Sequence, residues 1–306
     1  MMFLRYPFLA KATFALAIAL GLALCTPKET AADTGQRVVG VVLDYKGRPQ
    51  NIDIRRGRTH FPVRIYMRLL DGDEVRADGG SQITLRFTDG SIKIVKSGGS
   101  PYRVEARGSK VGLSDKVIAL LERVGLSIER ERTLPTGLPT GVRGGGAAIH
   151  ALQFSHPGLS NGTAEVVAGK RRLALAWRNG SGPFRVTISR RGGKALLDAH
   201  NVAQRQLETL DPRDMTPGAY DVTVEDAKGA RAAGWFTVVA GAGPAQANAE
   251  LPSWLGKHAA AVLRACAASQ ADRARSSYDA YLSLIDIKTR YKPAKDMRQA
   301  LLNGGC

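Results

Sequence analysis

Cysteine, histidine and aromatic side chains are scarce in this chain, and so are acids relative to bases. Of its 306 residues three are cysteine, five are histidine and 6% are aromatic. Cys25, Cys266 and Cys306 stand too far apart for a zinc knuckle, and no two of His60, His150, His156, His200 and His258 are spaced as ligands on one element. Neither His-Glu-x-x-His nor the Gly-x-Ser-x-Gly nucleophile elbow occurs. Asn179-Gly180-Ser181-Gly182 is rich in small residues but lies between two alternating segments instead of opening a helix, which argues against a phosphate cradle. Asp71, Asp73, Glu74 and Asp78 crowd one turn without calcium-loop spacing and read as solvated turn carboxylates. The expectation is therefore a protein that is not an enzyme, with no catalytic, cofactor-binding or metal residue assigned. A Ser/His/Asp triad, which meets only in space, stays open at this level.

Lysine and arginine number 44 against 27 acids, a formal charge of +17. By segment the excess is +2 over residues 1–32, +7 over 33–145, +3 over 146–250 and +5 over 251–306. Basicity spread in this way reads as a solvated surface, with an acidic envelope polymer or anionic lipid surface as the functional alternative. Nucleic acid is not an expected partner, because the N-terminus reads as an export signal. Arg5 and Lys11 precede an apolar run at 12–25, and fourteen residues fall short of the roughly twenty that span a bilayer. Thr30-Ala31-Ala32 offers small residues for cleavage before Asp33. The reading is a signal peptide over 1–32 and a periplasmic protein. The alternatives are an uncleaved inner-membrane anchor or lipidation at Cys25, although Leu24 precedes that cysteine where Gly, Ala or Ser is usual.

The most patterned stretch runs over 70–95. Ile83, Leu85 and Phe87 alternate with Gln82, Thr84, Arg86 and Thr88, the period of a half-buried strand. Asp89-Gly90 follows as a two-residue hairpin signal. That turn puts Thr88 opposite Ser91, Phe87 opposite Ile92 and Leu85 opposite Ile94, so that all apolar residues share a face; a slip of one residue turns Ile92 and Ile94 to water. The same stretch, GDEVRADGGSQITLRFTDGSIKIV, resembles the signature of the FecR-type periplasmic domain: a Gly-Asp-x-Val turn (Gly72, Asp73, Val75), a strand carrying Leu85 and Phe87 that ends in Asp89-Gly90-Ser91, and an apolar return strand. The resemblance covers about seventy residues, 37–105, with Asp78 standing where the family has Gly or Thr. It implies a β domain that binds other envelope proteins. The best-known members relay a signal to a cytoplasmic sigma factor through a segment ahead of a membrane span. About eleven residues precede the apolar run here, so the expectation is a stand-alone sensor or adaptor.

Before that hairpin, a strand is expected from residue 37 to 43, with a turn from Tyr45, and another over 62–69 with Arg64, Tyr66 and Arg68 facing outward. Arg55, Arg56 and Arg58 read as a charged loop or an anion-binding lip. Ser114 caps a short closing helix that carries Val117, Ile118, Leu121 and Val124. Residues 133–146, with Leu-Pro-Thr-Gly twice and three glycines, form a linker. Short alternating strands over 147–240 then point to a β-sandwich. Its Pro217-Gly218-Ala219-Tyr220 segment resembles the tyrosine corner of immunoglobulin-like modules. Residues 251–303 read as a helical tail: Ser253 caps a helix with Leu255, Ala259, Val262, Leu263 and Cys266, a second carries Tyr278, Tyr281, Leu282 and Ile285, and Pro293 opens a third. In an oxidising compartment Cys266 and Cys306 form a possible disulfide. The expected fold class is mainly β: a FecR-like domain (37–132), an immunoglobulin-like sandwich and a short α-helical tail. Its function is expected to be protein–protein binding in the cell envelope, with a wall-associated scaffold as the alternative.

Overall fold

A computed structural model describes residues 38–106, 113–133, 151–241 and 250–306. The expected signal peptide (1–32), Cys25 and nearly all of both expected linkers lie outside the described residues. The chain from Arg37 to Cys306 forms one compact unit. It is mainly β, with antiparallel sheets followed by helices.

The first half is a sandwich of two four-stranded sheets, built from β1 (Val38–Lys46), β2 (Ile52–Arg56), β3 (Thr59–Pro62), β4 (Arg68–Leu70), β5 (Glu74–Ala77), β6 (Gln82–Phe87), β7 (Ile92–Lys96) and β8 (Tyr102–Arg103). One sheet runs β4-β1-β6-β7 and the other β3-β2-β5-β8. Ile83, Leu85 and Phe87 from β6, Ile52 and Ile54 from β2, and Val75 from β5 are all buried in its core, as the period-2 pattern requires. Helix α1 (Asp115–Thr133) follows. The second half contributes β9 (Gln153–Phe154), the single turn α2 (Pro157–Ser160), β10 (Glu165–Val167), β11 (Gly169–Arg171), β12 (Ala174–Arg178), β13 (Phe184–Arg190), β14 (Ala195–Val202), β15 (Gln206–Glu208), β16 (Arg213–Met215), β17 (Gly218–Glu225) and β18 (Arg231–Val239). A five-stranded sheet, β10-β18-β17-β13-β14, accompanies the three-stranded β15-β12-β9, and the short β11 pairs β16. Strand β10 runs parallel to β18, while every other pairing in these sheets is antiparallel. Tyr220 is the third residue of β17 and its hydroxyl donates to the Thr216 carbonyl at 3.0 Å, the corner by which immunoglobulin-like sandwiches fix the chain entering a late strand.

Helices α3 (Lys257–Ala271), α4 (Arg273–Ser283) and α5 (Lys292–Asn303) complete the chain. They are no loose tail. Val262, Leu263, Tyr278, Leu284, Met297 and Leu301 are buried in the same contiguous core as Val41 and Phe236. Cys266 and Cys306 are bonded, with Cα atoms 5.5 Å apart, which ties the chain end to the buried face of α3. At the N-terminal end of that bundle, Arg132 at the close of α1 donates to Asp44 on β1 at 3.0 Å and to Asp296 on α5 at 2.7 Å. Tyr66 and Tyr291 share a hydroxyl–hydroxyl bond of 2.8 Å. These links explain why β1 is buried on both faces: one faces the sandwich core, and the other is reached by helices.

Several local expectations change. Strand β1 continues through Tyr45 to Lys46 because its second face is also covered, and the turn begins at Gly47 with φ +107. Residues 63–67 are not strand: Tyr66 adopts φ 58 and turns inward, fully buried. Ser114 does cap α1, accepting from the Val117 amide at 3.4 Å, but that helix has 19 residues. Ser253 opens a short 3-10 turn, and α3 starts after Gly256 without a side-chain cap.

Candidate functional site

The hairpin register is the largest correction. Strand β6 meets β7 with Arg86 opposite Ile92, Leu85 opposite Lys93 and Ile83 opposite Val95, one residue from the expected pairing. The turn spans three residues, not two. The Gly90 amide donates to the Phe87 carbonyl, the Phe87 amide to the Ser91 carbonyl, and Gly90 takes the left-handed position at φ +83. That is a tight turn closed by a left-handed glycine, the three-residue alternative to the two-residue form. Asp89 supports it by accepting from the Ser91 amide at 2.8 Å and the Ser91 hydroxyl at 2.6 Å. Because side chains alternate, the shift sends Ile92 and Ile94 out of the core, and they are 55% and 49% exposed.

The outward face of β6 and β7 is covered unevenly. Arg86 donates from Nε to the carbonyl of Trp254, and Gly256 lies against its guanidinium, so the segment entering α3 reaches β6. One strand further out, Ile92 and Ile94 stand in solvent beside Lys96. Among the described residues β7 has β6 as its sole strand partner, so its outer backbone edge is unpaired. Lys93 faces the other way, its ammonium 5.4 Å from the centre of the Tyr102 ring. The arrangement is an apolar, lysine-flanked edge strand, and an edge of this kind takes up an extended segment by hydrogen-bonding its backbone.

The remaining signature residues hold this end of the sandwich together. Gly72 turns the chain at φ +84 between β4 and β5, and Val75 is buried. Asp73 is not a solvated turn carboxylate. It is 1% exposed, accepts both side-edge nitrogens of Arg56 at 2.9 and 3.1 Å, and also takes the Leu70 amide at 2.8 Å. Arg56 is thereby withdrawn from any anion-binding lip. Arg55 pairs with Glu74 at 2.7 Å on the outer face of β2 and β5, in a solvated cross-strand charge pair.

Sequence reasoning missed a polar cleft in the second half. It measures about 500 Å³ and is lined by the 202–208 segment, Tyr281 and Lys288. Glu208 Oε2 accepts from Lys288 Nζ and, at 3.2 Å, from Arg298 Nη1. Burial pushes the Glu208 carboxyl up, but these two cations outweigh it and hold it below the usual range. The Arg298 guanidinium lies 4.2 Å from the centre of the Tyr281 ring. Against the same ring, with centroids 4.6 Å apart, stands His156, fully buried and with no hydrogen bond to either ring nitrogen among the described residues. Burial, reinforced by the charge of Arg298, lowers its pKa to about 3, so it is neutral near pH 7. One signal for this cluster was available in the sequence. Arg298 falls on the α5 stripe of Ala294, Met297 and Leu301, where a cation is out of place.

No family model matches the chain, and no curated protein matches it. Among solved structures it aligns with the crystal structure of the ZIG-8 IG1 homodimer at 13% identity and a TM-score of 0.18, over 26% of this chain and 81% of that one. It also aligns with the Bacteroides ovatus mixed-linkage glucan utilization locus protein SGBP-B in complex with a mixed-linkage heptasaccharide. There the identity is 14% and the TM-score 0.19, over 64% of this chain and 40% of that one. Scores this low carry no inference about ligand or function.

Proposed function

We propose that the protein is a non-enzymatic sensor or adaptor of the cell envelope that works by binding another protein along β7. The observation that carries this reading is the half-exposed Ile92–Ile94 pair on a strand whose outer edge has no partner among the described residues. Fully burying a side chain of this size is worth about 1.5–3 kcal/mol, so two half-exposed isoleucines side by side forgo a comparable sum in the free protein. The resemblance of 72–94 to the FecR-type signature supports the same reading, since it falls on this hairpin. So does the N-terminal segment, whose basic start and apolar run suit export. Lys96, on the same face as the two isoleucines, favours a partner segment that is extended, apolar and acidic.

In-cell crosslinking followed by identification of the attached protein tests the proposal. Capture of one envelope protein by the parent chain, lost in Ile92→Asp/Ile94→Asp with the fold unchanged, is the expected result. Crosslinks only to wall polymer or lipid, released by salt and indifferent to these substitutions, would replace the adaptor with a wall-associated scaffold.

A further inference from the structure

The hydrogen bonds beside the β6–β7 turn fix which backbone groups β7 leaves open. The Phe87 amide donates to the Ser91 carbonyl at 3.0 Å, and bonding pairs recur at every second residue of an antiparallel ladder. Leu85 and Ile83 therefore bond to the residues opposite them, Lys93 and Val95. The other side of β6 is in phase with this, since the Thr88 amide turns away from β7 and donates to the Val39 carbonyl of β1 at 3.0 Å. The backbone groups of Ile92, Ile94 and Lys96 then point out of the sheet, along the edge that has no strand partner among the described residues. These same residues carry their side chains on the exposed outward face. Open backbone and exposed apolar surface belong together.

That coincidence restricts what can add to the edge. In an antiparallel ladder, residues that exchange hydrogen bonds lie directly opposite each other with their side chains on one face. An added antiparallel strand sets two side chains against Ile92 and Ile94 and a third against Lys96. The isoleucines select apolar residues. Lys96 has no ion pair among the described residues and selects an acid. A second copy of this chain does not meet these terms. Two β7 strands paired about Ile94, the register of greatest overlap, put each Lys96 opposite an Ile92 and leave both lysines without an acid. The edge is also short, five residues between the turn at 88–91 and the 3-10 turn Ser97–Gly99, which is the reach of a short tail that orders on binding.

We propose that β7 takes up, in the antiparallel direction, a short unstructured tail of another protein that reads acid–x–apolar–x–apolar from its N-terminal to its C-terminal end. The acid meets Lys96, and the two apolar side chains meet Ile94 and then Ile92. The inference rests on the reading of β7 as a binding strand and adds to it the order and direction of the partner's side chains.

Fluorescence anisotropy of labelled peptides titrated with the full chain tests it. The probes are Ser-Glu-Thr-Val-Thr-Val-Ser, the same residues in reverse order, and the forward peptide with Lys in place of Glu. The expected result is saturable binding of the forward peptide, at least tenfold tighter than of either other probe. Lys96→Glu, at an exposed position that leaves the core intact, reverses the preference so that the lysine peptide binds more tightly than the acidic one. The proposal is overturned if the forward peptide does not bind, if the reversed peptide binds equally well, or if Lys96→Glu still prefers the acidic peptide. Dimerisation of the parent chain in sedimentation, lost in Ile94→Asp, would overturn it in favour of a second copy. Crosslinking in the cell does not depend on the order of the peptide, so the adaptor reading stands or falls on its own result.

Discussion

The outward face of the first sheet divides into two regions that share strands but not surroundings. Around β1 it is sealed: Arg132, Tyr66 and Tyr291 tie α1 and α5 to it, and the chain entering α3 holds Arg86 of β6. At β7, one strand away, Ile92 and Ile94 are half in water. Both regions are made of aliphatic residues, so composition does not separate them. Cover does. The helical region seals the face as far as β6, and we read the strip beyond as the part reserved for a partner.

Disturbing the core beneath the helices has large effects. His156, buried between Tyr278 and Tyr281 under the helices, takes up a proton in the unfolded chain near pH 6.5 but in the folded one only near pH 3. The unfolded state binds more protons in that window, so this group's contribution to stability is intact above about pH 6.5 and is lost progressively on acidification toward pH 3. The loss is on the order of 5 kcal/mol. Urea denaturation of His156→Phe is expected to show a flatter pH profile over that window than the parent.

Removing the bond between Cys266 and Cys306 comes next. A closed loop of 40 residues constrains the unfolded chain by about 3–4 kcal/mol in the chain-entropy model. Cys266→Ala/Cys306→Ala should therefore unfold at correspondingly lower urea, with the helical signal lost first.

Gly125→Ala has a smaller effect with opposing parts. A Cβ there stands 2.3 Å from the Ile65 carbonyl oxygen, a backbone atom that cannot swing away. Overpacking of that kind costs about 3 kcal/mol, against roughly 1 kcal/mol of improved helix propensity. A net loss of about 2 kcal/mol is expected, and an unchanged melting temperature would show that α1 does not press on the 63–67 turn. On the bare side, Gly90→Val forces a β-branched residue into φ +83, where no neighbouring atom lies within 4 Å, so only backbone strain acts. The expected cost is about 1–2 kcal/mol, read by thermal melting.

The same contrast marks how far the sequence could be read. Alternation over 82–87, the tyrosine corner at Tyr220 and the spacing of Cys266, Val262 and Leu263 are local patterns, and the elements they describe are present. The hairpin register was not legible, because Asp-Gly serves both two- and three-residue turns, and the choice rests on whether Ile92 and Ile94 have anything to bury against. Burial of Asp73 and Tyr66 was also hidden. Each depends on a partner distant in sequence, Arg56 for one and Tyr291 for the other, 225 residues away. The charged cluster of Glu208, Lys288 and Arg298 left a single trace in the sequence, a cation on the apolar stripe of α5, because its members meet only in space.

The most direct measurement places a photo-reactive amino acid at Ile94, and separately at Ala261, which packs partly buried on α3, in the protein inside the cell. The account predicts a discrete adduct with one protein from position 94, abolished by Ile92→Asp, and none from position 261. Adducts of equal strength from both positions, or a free edge at position 94, would contradict it.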